Sequence, residues 1–428
     1  MIGMGEPITQ QVAAPVGARV QRRTMVVLVL SQIVGTVGVG ITPSIGILLA
    51  GQVTHSDTLA GPARAAGTLG AALLGLPLGT LAAARGRRVA LSLGWAIAAV
   101  GGALLVLAAQ ADLVVPLFLG LLLIGSGAAV SLQSRFAATD LAEPHHQGRS
   151  LSLIVWVGTI GSMLGPNLGV PGQFLGDRIG LNVYAAAFLI ATVCLAVASL
   201  LIWMLLRPDP LLVRQRSAGL PSTDHPRAGA PRRGRLRAVS TELRVNSIAR
   251  FAVIAILTAQ FVMVAVMTAT PLHLVNQGGS ISIVGITISL HIVGMYALAP
   301  AVGFLCDRLG ARITIGAGIG ILAVALALAT WQSDRTGWVI ASVILLGLGW
   351  AFVNVAGSTL FSSVVSDSTR AAAQGGVDTL ANLAGAVAAF GSGPLLLLGG
   401  FGGLAVISLL LLVPLTLLTV LTPRAPRD

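Results

Sequence analysis

The chain has 428 residues, of which 55% are hydrophobic and only 9% charged; its mean hydropathy is +0.91. Soluble domains carry roughly 25% charged residues, so a water-soluble globular protein is excluded. All 26 basic side chains are arginines, set against 14 acids for a formal net charge of +12, a balance that in a soluble protein would point to nucleic acid.

Taken in order, residues 1–23 are polar, carry Arg19, Arg22 and Arg23 and lack an apolar core, which predicts a cytoplasmic tail and no cleavable signal peptide. Stretches of about 20 apolar residues, enough to cross a bilayer, follow near 24–48, 59–83, 89–110, 113–135, 150–171 and 181–206. Residues 207–247 are rich in Arg, Pro, Ser and Gly ("GAPRRGRLR"). They cannot bury enough apolar area to order themselves and predict a flexible cytoplasmic linker beside anionic lipid. Six more apolar stretches lie near 248–271, 281–305, 312–331, 336–361, 373–397 and 401–422, before a short tail at 423–428. The predicted fold is an all-α membrane protein with twelve transmembrane helices in two six-helix halves, 24–206 and 248–422. Placing both termini in the cytoplasm puts 23 of the 26 arginines on the inner side and leaves Arg64, Arg178 and Arg335 outside. The basicity is therefore topology: the partner is the lipid bilayer of a bacterial inner membrane, with no nucleic acid involved.

The halves repeat one another. Asp140 with Gln147 and Gly148 recurs as Asp367 with Gln374 and Gly375, and "GTLAAARGRR" after span two matches "GFLCDRLGAR" after span eight. Such duplication describes alternating-access transporters. With these residues the chain resembles the major facilitator superfamily over nearly its whole length. The second loop carries the family's G-x-x-x-D-R-x-G-x-R pattern as Asp307, Arg308, Gly310 and Arg312, and the resemblance implies that they gate by pairing charges between the halves. In the first loop Gly86, Arg87 and Arg88 remain, while Ala83 and Ala84 stand where the family places Asp-Arg. Span five carries Gly161, Gly165, Pro166 and Gly169, which looks like the family's antiporter motif, with Val170 in place of a terminal glycine; Leu121 replaces the span-four arginine common in drug:proton antiporters. Arg135 and Asp140 read as structural charges at the inner end of span four. Asp378 in span eleven is a candidate for coupling proton movement, or a partner of Asn382 or Arg370.

Soft ligands stand where lipid disfavours them. Span seven places Met263 and Met267 four residues apart, and span eight does the same with His291 and Met295. These pairs each share a helical face. From helix rise alone, Met267, Met263, His291 and Met295 lie about 7, 13, 15 and 21 Å below the outer ends of their spans, near the depth of substrate sites in such transporters. Methionine also fills apolar cores. Thioethers and one imidazole, without carboxylate or thiolate pair, select Cu(I). The motifs resemble those of the CcoA-type copper importers, a branch of the same superfamily. That resemblance implies that these four residues bind copper as cargo, supplying haem–copper oxidase assembly with a possible cytoplasmic copper chaperone as partner. The importer's C-x-x-x-C pair is missing; only Cys194 and Cys306 are present. Cys306, eleven residues after Met295 and on nearly the same face, is a candidate exit ligand. The branch also contains vitamin transporters, so a proton-coupled organic-solute, vitamin or drug transporter stays open, as does a non-transporting copper receptor. No loop holds a His/Asp/Ser or metal-hydrolase constellation, and an enzyme is not expected.

Overall fold

The computed structural model describes residues 9–421 apart from 144–145, 218–242, 245 and 366. Most of the expected flexible linker and the last tail lie outside the described residues. Helices long and apolar enough to cross a membrane run over Arg19–Thr54, Ala60–Arg85, Arg87–Ala111, Val114–Thr139, Gln147–Ile179, Val183–Arg216, Ser247–Asn276, Ile281–Leu309, Ala311–Trp331 and Thr336–Val364, spans one to ten. A last helix, Ala373–Leu421, has 49 residues, about 74 Å at 1.5 Å per residue and more than twice a ~30 Å hydrocarbon core. It is two spans, because Gly400 leaves helical geometry with φ 61 and ψ −168. Span eleven is therefore 373–399 and span twelve 401–421. The sides of the protein are named by charge: the inner side carries the arginine-rich loops.

Local chemistry accounts for where these helices start and bend. The side chains of Asn182, Asn246 and Ser280 accept hydrogen bonds from the first free N–H groups of spans six, seven and eight, the usual N-cap arrangement. Prolines, which remove a helix hydrogen bond, mark the irregular turns: a π turn at Thr42–Gly46 with Pro43, a 3-10 turn at Gly165–Leu168 with Pro166, and a break after Tyr296 just before Pro300. The two repeated loops turn at Gly86 (φ +90) and Gly310 (φ +87), a conformation open to glycine at little cost.

One departure from expectation falls within 207–247. Pro210–Ser217 is helical, because Asp209 caps it: its carboxylate accepts from the N–H groups of Leu211 and Leu212 and also, at 2.7 Å, from Arg88 N–H. The start of the segment is thereby fastened to the first repeated loop.

Each half has its own apolar core. In the first, Trp95 and Phe188 are fully buried, and Gly35 and Gly127 leave room for the Trp95 indole, which an added Cβ would meet at 2.5 and 2.9 Å. The second core takes in Ile47, Leu48, Ala60 and Ala65 from the outer ends of spans one and two. The halves thus share an apolar seam on the outer side. Gly61 lies so close to span eleven that a Cβ would overlap the Ala389 carbonyl oxygen, and Gly393 so close to span two that one would overlap that of Thr58. Spans five and eight meet likewise: a Cβ on Gly285 would stand 2.7 Å from the Pro166 oxygen, Asn167 Nδ2 donates to Ser289 Oγ at 2.7 Å, and Ser289 Oγ donates to the Met163 oxygen at 2.6 Å. At the inner end of span ten, by contrast, Ser358, Thr359, Ser362 and Ser363 line an open cavity of about 480 Å³. The structure is closed outside and open inside.

Candidate functional site in the cleft between the halves

The glycine-proline run of span five works first as packing. A Cβ on Gly165 would stand 2.6 Å from Gly40 Cα, and one on Gly169 would overlap Ile281. The run therefore seats span five on span one and, across the halves, on span eight. It forms part of the outer closure.

Of the four candidate soft ligands, three are buried in the second-half core. Met263 is 6% exposed, Met267 2% and His291 2%, with Met295 partly buried against the same core. The His291 ring is held by span ten: Nδ1 lies 2.7 Å from the Val343 oxygen, and a Cβ on Gly347 would meet Nδ1 at 3.0 Å. A carbonyl can only accept, so Nδ1 carries the proton in the neutral ring and Nε2 holds a bare lone pair. Nε2 is buried without a hydrogen-bond partner among the described residues. The Arg64 guanidinium is close enough to act on this ring electrostatically. Arg64 was expected as an outer topological charge; instead its side chain reaches into the protein from one turn below the Gly61 seam.

A second group was not anticipated from the sequence. Trp350 of span ten donates from Nε1 to Gln260 Oε1 of span seven at 2.8 Å. The Tyr296 ring of span eight meets the Trp350 ring edge-on, with centroids 6.2 Å apart and planes at 71°. Tyr296 is 40% exposed, and Arg135 of the opposite half lies within electrostatic reach of it. The pair is thus partly open, with a charge of the opposite half in range of its tyrosine. Gln32 is the first-half counterpart of Gln260 and hydrogen-bonds Ser131 of span four. The one available signal was that the two glutamines stand at nearly the spacing that separates Asp140 from Asp367.

Arg135 also departs from its expected structural role. Asp140 does serve structurally, but with Arg87: Arg87 Nε donates to Asp140 Oδ2 at 2.8 Å, and Arg214 NH1 stands 3.8 Å from Oδ1. Arg135 takes no part, and its Nε is buried without a partner among the described residues.

The residues expected to gate are engaged inside their own half in this inward-open arrangement. Arg312 donates to the Thr419 and Val420 oxygens at 2.6 Å each, closing the end of span twelve. Arg88, two residues after the matching glycine, does the same for the Trp203 oxygen at 2.8 Å. Arg308 stacks over Phe304, and Gly310 makes the turn between them. Cys306 is buried, within hydrogen-bonding reach of the Thr359 hydroxyl on span ten. Asp378 is exposed on span eleven and has an interaction of its own. The Arg370 side chain, offered as its partner, lies outside the described residues. Among the described residues no cluster of three His, Cys, Asp or Glu side chains could hold a metal ion.

The family model for the major facilitator superfamily matches residues 27–280 and again 252–428. The chain belongs to the major facilitator superfamily. It is a non-enzymatic, multi-pass membrane transporter. The MFS-type transporter YddS of Bacillus subtilis (strain 168), itself uncharacterised, is 35% identical over 368 residues, 85% of this chain and 83% of its own. The riboflavin transporter RfnT of Brucella anthropi is 29% identical over 384 residues, covering 89% and 90%. Among solved structures, a bacterial homologue of the human lysosomal transporter Spinster, inward-facing and unoccupied, superposes with TM-score 0.71 at 17% identity, over 94% of this chain and 96% of that one. The nucleoside transporter NupG (D323A mutant) gives TM-score 0.71 at 16% identity, over 94% and 98%. These two likenesses show the fold alone. Of these curated relatives, the one named for its cargo carries riboflavin, not copper.

Proposed function

We propose that this superfamily member moves a planar organic solute across the bacterial inner membrane by alternating access, with the arginine-rich side in the cytoplasm. The observation that carries the reading is the aromatic pair Tyr296–Trp350, braced by Gln260 and partly open. A ring surface in a membrane-buried cleft accepts a flat solute by stacking, and a braced indole loses little freedom when it does so. The riboflavin carrier among the relatives supports the same class of cargo. Riboflavin counterflow in proteoliposomes is the direct test. The parent should exchange labelled riboflavin, and Trp350→Ala should slow exchange at least tenfold. No exchange by the parent sinks the flavin reading. Asp378 is the acid through which proton coupling would act; its replacement by Asn should then abolish concentrative transport while leaving counterflow.

A second reading keeps Cu(I) as cargo, bound by Met263, Met267, His291 and Met295, released past Cys306, and delivered with a cytoplasmic chaperone toward oxidase assembly. The free, buried Nε2 of His291 favours it, since a ring fixed through Nδ1 is how proteins present a metal-binding imidazole. The neighbouring Arg64 opposes it: a guanidinium repels a cation in a medium of low dielectric, and the site holds no carboxylate to offset that charge. Copper accumulation in cells decides between them. If copper is the cargo, His291→Ala and Met267→Ala lower accumulation at least tenfold; the organic-solute reading expects accumulation equal to that of the parent.

A further inference from the structure

Arg64 and Arg135 differ from the other arginines near the membrane interior. Arg87 has Asp140; Arg88 and Arg312 cap helix ends through backbone oxygens. Neither Arg64 nor Arg135 has an ion-pair or hydrogen-bond partner among the described residues, although both are partly buried within spans and the Nε of Arg135 is wholly so. An ionisable side chain within a span is costly and is retained where it lines a path or meets a partner. Among the described residues no acid pairs with either: Asp140 is taken by Arg87, and Asp378 has an interaction of its own.

Their positions complete the argument. Arg64 hangs under the closed outer seam and acts on His291 of the opposite half. Arg135 enters from span four, toward the open inner side, and acts on Tyr296 of the opposite half. Both come from the first half, Arg64 near the outer end of span two and Arg135 near the inner end of span four, and each has a residue of the second half within electrostatic range. Two guanidiniums without a partner among the described residues therefore stand at two levels of the boundary between the halves.

We infer that the cargo is an organic anion: a planar solute whose negative group is taken by Arg64 and Arg135 in turn while its ring rests on Tyr296 and Trp350. This rests on the organic-solute reading above and deepens it by fixing the sign of the charge. A carboxylate or phosphate would receive charge-assisted, bidentate hydrogen bonds from either guanidinium. Two anion sites at different depths let the solute pass from one to the other as the halves rock, since neither is bound to an acid that would compete for it.

Riboflavin and riboflavin 5′-phosphate make a matched pair of probes, because they share ring and side chain and differ by one phosphate group. Equilibrium dialysis against the full-length protein in detergent, read by flavin absorbance, is the measurement. The phosphate ester should bind at least tenfold more tightly than riboflavin. Arg135→Gln and Arg64→Gln should each cut that preference at least threefold, and Arg135→Lys should retain part of the preference. Gel-filtration profiles and melting temperatures equal to the parent's show that the variants are folded; a variant that fails this check is replaced by its lysine counterpart. Riboflavin binding as tightly as its phosphate ester, or both arginine variants weakening the two flavins equally, overturns the inference while leaving the ring platform standing. If neither flavin binds, the platform reading falls and the inference with it.

Discussion

Gly61→Val should leave the transporter unable to close its outer side. A Cβ at this position already overlaps the Ala389 carbonyl oxygen, with the Phe390 oxygen 3.1 Å away, and backbone on a facing helix cannot move aside as a flexible side chain could. Overpacking of this kind costs about 1–3 kcal/mol in ordinary cores, which moves a two-state balance about 5-fold to 150-fold. In the arrangement with the outer side open, spans two and eleven part and the valine meets no carbonyl, so the whole cost falls on the inward-open state. Spin labels on Leu113→Cys and Trp331→Cys, at the outer ends of opposite halves, should report a longer distance in the variant, in a background lacking Cys194 and Cys306. Transport should fall at least tenfold. Gly67→Ala, two turns inward on the same helix, is the control, since its Cβ would sit 3.6 Å from the nearest oxygen and should change neither quantity. An unchanged label distance in the valine variant would refute the seam as the closing surface.

Asp140→Ala should destabilise the folded protein by about 3 kcal/mol. The carboxylate is 4% exposed and takes two hydrogen bonds from Arg87, whose side chain is 13% exposed. Removing one member of a buried pair strands the other charge, typically at 3–5 kcal/mol; the lower figure suits a pair at the inner surface. Thermal unfolding in detergent should show the loss as a drop of several degrees, roughly 2–4 °C per kcal/mol in chains of 150–250 residues. Arg214→Ala removes only the 3.8 Å contact of a side chain that is 62% exposed, and such a pair contributes about 0–1 kcal/mol. A melting temperature for Asp140→Ala no lower than that of Arg214→Ala would show that the buried pair does not support the fold.

The membrane spans were legible because hydropathy over some 20 residues is a local property. The start of span eight at Ile281 and of span nine near Ala311 follow directly from where the apolar stretches begin. Span boundaries ran short at the outer end of span five, where Pro166 lets the helix continue to Ile179 through a 3-10 turn. The helix at Pro210–Ser217 was not visible in composition, because its stability comes from Asp209 reaching a loop more than a hundred residues away. The spacing of Met263 with Met267 and of His291 with Met295 places each pair on one helical face, yet the neighbours that give His291 its character are Val343, Gly347 and Arg64 on two other spans.

By itself the sequence determined the family, the number of crossings and the charge asymmetry of the loops, since each depends on residues near one another in the chain. It also singled out His291 as an imidazole within the membrane. Only the tertiary structure decided which half each charge addresses: Arg135 turns from Asp140 toward Tyr296, Arg64 turns from the outer surface toward His291, and Trp350 joins Gln260 and Tyr296. The physical reason is that a guanidinium or an indole acts over a few ångströms, and in a bundle of twelve helices those ångströms are set by which helices pack together, a property that no single helix carries.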